Sequence, residues 1–156
     1  MNSAFGQSEP RVDSEHSSKG EATGENPTEV RSLHFLCALP VPLLTINARD
    51  GMHWSVRAGH VKAQREAFGW HAITTLPLDV APLRGKVRLD VTIYPRKGQK
   101  EPDEGGKWEA VKPWVDGLQD AGVFAEGDDK VVVYGTFQWV KERRTGEVRL
   151  TLTAAG

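Results

Sequence analysis

The sequence predicts an α+β domain: a small four-stranded mixed sheet with two helices on one face, in the order β-α-β-α-β-β. Three observations carry this. "VRLDVTIYP" sets Val87, Leu89, Val91 and Ile93 against Arg88, Asp90, Thr92 and Tyr94, the two-residue period of a half-buried strand. Two longer segments, over 55–75 and from Trp108 to Leu118, repeat apolar residues at helical spacing. "KVVVYGTFQWV" and "EVRLTLT" then close the chain as two strand-like runs around "KERRTG", the pattern of a hairpin. Four strands make a small core, so dimerisation is expected to complete it.

Residues 1–32 are rich in Ser, Glu and Gly and nearly free of large apolar side chains. Such a segment buries too little surface to offset its ordering entropy, and a disordered tail is expected there, with the domain over 33–156. The tail has no apolar run of the signal-peptide kind, and no later stretch is long and apolar enough for a membrane span. The chain has 20 basic and 21 acidic residues; three basic and six acidic ones lie in the tail, which leaves 33–156 at about +2. That mild excess permits a nucleic-acid partner without requiring one. Cys37 is the only cysteine, which excludes a disulfide framework and a cysteine-rich zinc site and makes a reducing cytoplasm the expected location.

The first strand is expected over "HFLCAL", 34–39. The prolines and "ARDG" that follow mark a loop, in which Asn47 and Asp50 suit turns. In the first helix Val61, Phe68 and Ala72 fall on one face, with Ser55 as the expected N-cap. After the alternating strand, Pro95 ends the pairing, and "RKGQKEPDEGGK" is a polar loop. The second helix carries a stripe of Trp108, Val111, Val115 and Leu118, and Gly122 is its stop. Pro113 lies awkwardly within it, since a mid-helix proline costs about 3 kcal/mol. Either regular helix starts close to Pro113, or the helix is kinked there.

Acids bracket this second helix: Asp103 and Glu104 before it, and Glu126, Asp128 and Asp129 after it. Two or three converging carboxylates can hold Mg²⁺ and leave positions for water and phosphate. A helix of roughly 14 residues is about 20 Å long, so acids at its two ends share an ion only if the chain folds back or a second copy supplies a group. The same acids have a structural explanation, as caps and dipole partners before a helix and as an ordinary polar turn after it.

The run "VKPWVDGLQDAGVFAEGDDKVVVYG" resembles the RusA family of Holliday junction resolvases, found in phages and prophages. Lys112, Asp116, Gly117, Leu118, Ala121, Gly122 and the Asp128–Asp129 turn follow that family's order, and the resemblance extends loosely over 35–153. It implies a homodimeric α+β endonuclease that binds four-way DNA junctions and cuts symmetric strands with Mg²⁺ or Mn²⁺. The family's metal ligands are two acids of an Asp-rich motif and an Asp after the helix, with a helix lysine that Lys112 matches. Here Asp103 matches the first acid, whereas Gly105 and Gly106 stand at the second ligand and the following Asn. The expected set is therefore Asp103, Glu104 and Asp128 for metal and catalysis, with Asp129 as a further metal candidate and Lys112 at the phosphate.

Arg96, Lys97 and Lys100 flank the acids and are candidate phosphate contacts, as are Arg57, Lys62 and Arg65 on the first helix; each group also reads as a solvated basic surface. Trp108, Trp114, Phe137 and Trp139 are expected in the core or a dimer contact. Two rival readings are a dimer with this fold that binds junctions without cutting them, and a protein-interaction module with no DNA role.

Overall fold

The computed structural model describes residues 30–40 and 51–155, so residues 1–29 of the expected 1–32 tail and the loop containing Asn47 and Asp50 lie outside the described residues, while residues 30–32 of that tail belong to the first strand. The elements are β1 (Val30–Ala38), α1 (Trp54–Thr75), β2 (Val87–Tyr94), α2 (Lys107–Asp120), a single turn α3 (Asp128–Val131), β3 (Val132–Trp139) and β4 (Glu147–Ala155). The four strands form one mixed sheet in the order β1-β4-β2-β3, an α+β architecture. Its inner face supplies Phe35, Cys37, Val87, Leu89, Val91, Ile93, Val148, Leu150 and Leu152 to one core with Phe68, Val111, Trp114, Val115 and Leu118 of the two helices.

The expected β3–β4 hairpin does not form. β3 pairs in parallel with β2, and β4 runs antiparallel between β1 and β2. Burial explains the exchange. Val148, Leu150, Leu152 and Ala154 of β4 are almost wholly buried, a central-strand pattern, while β3 is only partly covered and takes the edge. The connection over 140–146 carries the chain past the end of β2: Val140 N–H donates to the Ile93 carbonyl at 2.9 Å, and Gly146 N–H to that of Tyr94 at 2.9 Å. Gly146 turns there with φ 76°.

β1 begins earlier than the apolar run suggested, because Val30, Arg31 and Ser32 pair with Ala155, Ala154 and Thr153. In α1 the cap is His53 rather than Ser55: its ring accepts from Ser55 N–H at 3.3 Å and lies 2.8 Å from the Ser55 hydroxyl. α2 starts at Lys107, six residues before Pro113, and runs through it to Asp120. Trp114 is the centre of the helix layer. It stacks on Phe68, with centroids 5.3 Å apart, and donates from Nε1 to buried Gln64 at 2.8 Å.

Two glycines let α1 and α2 touch. A Cβ on Gly117 would lie 2.2 Å from the Arg65 carbonyl oxygen, and one on Gly69 would lie 3.1 Å from the Gly117 carbonyl oxygen. Gly117 is the glycine of the "DGL" motif, and its place in the fold is this close helix crossing.

Candidate functional site

α2 sets Lys112 and Asp116 one turn apart on its outer side. The chain after α2 then reverses. Gly122 takes φ 79°, and Val123 N–H returns to the Leu118 carbonyl. Leu83 N–H donates to Val123 and Ala125 N–H donates to Leu83, which ties the returning segment to the loop before β2, with Val123 and Phe124 buried. Gly127 is extended, and Asp128 opens the turn α3.

The reversal brings Asp128 back to the middle of α2. Lys112 Nζ donates to Asp116 Oδ1 at 2.7 Å and to Asp128 Oδ2 at 2.5 Å. The Asp128 side chain is 17 % exposed, Asp116 25 % and Lys112 48 %. Burial works against the charge on Lys112, but the two carboxylate hydrogen bonds outweigh it and hold its pKa above the ordinary lysine value. Tyr134 of β3 borders the cluster and stacks on Trp108 with centroids 4.6 Å apart. Burial pushes its phenol pKa up, Lys112 pulls it down, and Asp128 and Asp116 add to the rise. Arg57, Val61, Glu109 and Pro113 line a cavity of about 350 Å³ together with Lys112 and Asp116.

The expected acids divide. Asp128 joins the lysine cluster. Asp103 instead closes the turn before α2, where Gly106 N–H is shared between its carbonyl at 3.0 Å and its Oδ1 at 3.1 Å. Glu104 pairs with Lys107 at 2.6 Å, and Lys107 also lies over the Phe137 ring. The Asp129 side chain lies outside the described residues. Among the described residues no group of three or more His, Cys, Asp or Glu comes together as a metal-holding set. Asp103 and Glu104 thus have partners in the loop before α2, and Asp128 has Lys112.

The expected basic residues also divide. Arg65 is held by Asp120 through two hydrogen bonds of 2.5 and 2.7 Å, and Lys62 lies 3.9 Å from Glu66. Arg57 borders the Lys112 cavity. Arg96 and Lys100 line a separate cavity beyond the ends of β2 and β3, while Lys97 between them is exposed. Asp116 stands in the sequence only as part of the family-like run, though its four-residue spacing from Lys112 signals the contact, and Tyr134 has no local signal. Of the aromatics, Trp114 is wholly in the core, and Trp108, Phe137 and Trp139 pack partly buried against it. Compared with protein-family models and with curated proteins, the chain matches none.

Proposed function

We propose that this chain is a RusA-like endonuclease that resolves four-way junctions or other branched DNA as a cytoplasmic homodimer. The observation that supports it is the return of Asp128 to Lys112 and Asp116. The acid after the helix and the helix lysine, distant in sequence, meet at one exposed point beside a cavity. Lys112, kept cationic by its two carboxylates, would on this reading hold a non-bridging phosphate oxygen and stabilise the charge that grows there during hydrolysis. Mg²⁺ or Mn²⁺ is the cofactor this reading proposes; when bound, it would supply an activated water and neutralise phosphate charge. Of the proposed ligands, Asp128 has the best-formed surroundings, with Asp116 sharing the same cation. No helix among the described residues is long and apolar enough to cross a membrane.

A second reading has its own support. Asp103 and Glu104 are engaged in a turn and an ion pair, and glycines stand at the second ligand position. A dimer that binds junctions without cutting them accommodates both facts. Cleavage of a labelled synthetic four-way junction in Mg²⁺ or Mn²⁺, beside linear duplex, separates the two. Paired symmetric nicks that fall about 100-fold in Lys112→Gln and vanish in Asp128→Asn support the endonuclease. Junction retention without nicks from the parent chain transfers the case to the binding dimer.

A further inference from the structure

The loops that follow the parallel strands β2 and β3 line a cavity of about 370 Å³ that is open to solvent. Crevices beyond the carboxyl ends of parallel strands are where open sheets characteristically take ligands. Arg96, Lys100, Lys141 and Arg144 line this one, against the single acid Glu101. Among the described residues, none of these four cations forms a salt bridge, whereas Arg65, Arg88, Lys107, Lys112 and Arg143 all do. The cavity thus gathers four cations without a carboxylate partner, of which Arg96 also donates to the Leu39 carbonyl, and their mutual repulsion favours a bound anion.

Two further observations define the anion. Gln99 also lines the cavity. Its Oε1 accepts from Arg96 N–H at 3.1 Å, and its Nε2 is buried with no hydrogen-bond partner. A donor left unpaired costs free energy, which a ligand oxygen would recover once the amide turns toward the cavity. Trp139 supplies a partly exposed aromatic wall. Four cations and an amide donor suit a phosphate; the indole and a volume well above that of one phosphate suit a base beside it.

We propose that this cavity binds an unpaired nucleotide, its phosphate held by Lys100, Lys141, Arg144 and Gln99 and its base against Trp139. It shares the nucleic-acid partner with the endonuclease reading but does not depend on cutting. At a branch point, an unpaired nucleotide is the feature that distinguishes the substrate from linear duplex.

The test is a calorimetric titration of the full chain with dAMP, deoxyadenosine, inorganic phosphate, a short single-stranded oligonucleotide and the matching duplex. The expected result is binding of dAMP and the single strand, weakened by salt, with no binding of deoxyadenosine. Lys141→Gln with Arg144→Gln lowers dAMP affinity at least 10-fold. Trp139→Leu brings dAMP down to the affinity of inorganic phosphate. Lys86→Gln changes nothing, because Lys86 precedes the opposite end of β2, about 27 Å away along the strand. Unchanged thermal midpoints in the loop variants separate lost binding from lost folding. If dAMP does not bind, or binds equally well to the double variant, the site is refuted; phosphate binding as tightly as dAMP refutes the nucleotide assignment. Tighter binding of the oligonucleotide than of dAMP identifies a polynucleotide as the source, and equal affinity a free nucleotide. Nucleotide binding without junction cutting defeats the endonuclease reading alone, and cutting without nucleotide binding defeats this inference alone.

Discussion

Gly117→Ala is expected to destabilise the protein by about 2–4 kcal/mol, against the preference of an isolated helix. Alanine is favoured over glycine inside a helix by about 1 kcal/mol. At position 117, however, the added carbon would lie 2.2 Å from the Arg65 carbonyl oxygen and 3.0 Å from Gly69 N. An ordinary carbon–oxygen contact is about 3.3 Å, so the helices must part by roughly 1 Å. Both contacts are backbone, so neither yields by a side-chain rotation. Overpacking of this kind costs about 1–3 kcal/mol. Parting α1 from α2 also loosens the Phe68–Trp114 stack, worth about 0.5–1.5 kcal/mol, and the Trp114–Gln64 hydrogen bond, worth about 1 kcal/mol. Urea unfolding of Gly117→Ala beside Gly59→Ala measures the difference. Gly59 is likewise inside a helix, α1, but has nothing within 4 Å of an added Cβ, so that variant is expected to gain up to about 1 kcal/mol. If the two variants shift stability equally, the crossing does not explain the glycine.

Asp90 sits at the irregularity between β2 and β3, where its Oδ1 accepts from Thr136 N–H at 2.7 Å and from Arg88 at 3.0 Å. Burial raises its pKa, but the Thr136 and Arg88 bonds outweigh burial and hold it below the ordinary value. The stabilisation is therefore present above about pH 4 and lost as pH falls through the lowered value, so Asp90→Asn is expected to be less stable at pH 7 and to lose less on acidification, by thermal melts across pH 2–7. Burial pushes the Cys37 thiol up to about 11, so a disulfide reagent at pH 8 is expected to react with it only on unfolding; rapid labelling of the native chain would contradict the buried placement.

The legible parts of the fold are those whose signal is local. β2 is found where Val87 to Ile93 alternate, because burial on one face of a strand repeats every second residue. The stripe Val111, Val115 and Leu118 is buried, for the same kind of reason. Strand order was not legible. The "KERRTG" turn favours pairing of its two flanks, but only the whole sheet decides that β4, whose Val148, Leu150, Leu152 and Ala154 alternate with polar residues and face the core throughout, takes the centre. Likewise Asp103 and Glu104 resemble ligands in composition and act here as a turn closer and an ion-pair partner. Which role a carboxylate takes depends on the donors that reach it. Gly106 N–H and Lys107 are close by in the chain, whereas Asp128 meets Lys112 only after the chain has reversed.

That contrast leads to a test by restoration. A second carboxylate beside Asp103 would give the loop before α2 two acids to set against Asp128. Gly105 is the position that the resemblance assigns to that acid, and it has nothing within 4 Å of a built Cβ and no positive φ, so Gly105→Asp should fold without strain. Asp103 would give up only one side-chain hydrogen bond to turn toward a cation, because Gly106 N–H keeps the Asp103 carbonyl as an acceptor. Converging carboxylates repel one another, and a divalent cation relieves that repulsion. The variant is therefore expected to be no more stable than the parent without metal and to show a larger rise in thermal midpoint on adding Mn²⁺ or Mg²⁺. That rise should disappear when Asp128→Asn is added, since the ion would be held between the two loops. A rise that survives Asp128→Asn would place the bound ion in the front loop alone, and the fold-back of Asp128 would then serve Lys112 rather than a metal. No rise at all would mean that the turn around Gly105 and Gly106 holds its acids away from the returning loop.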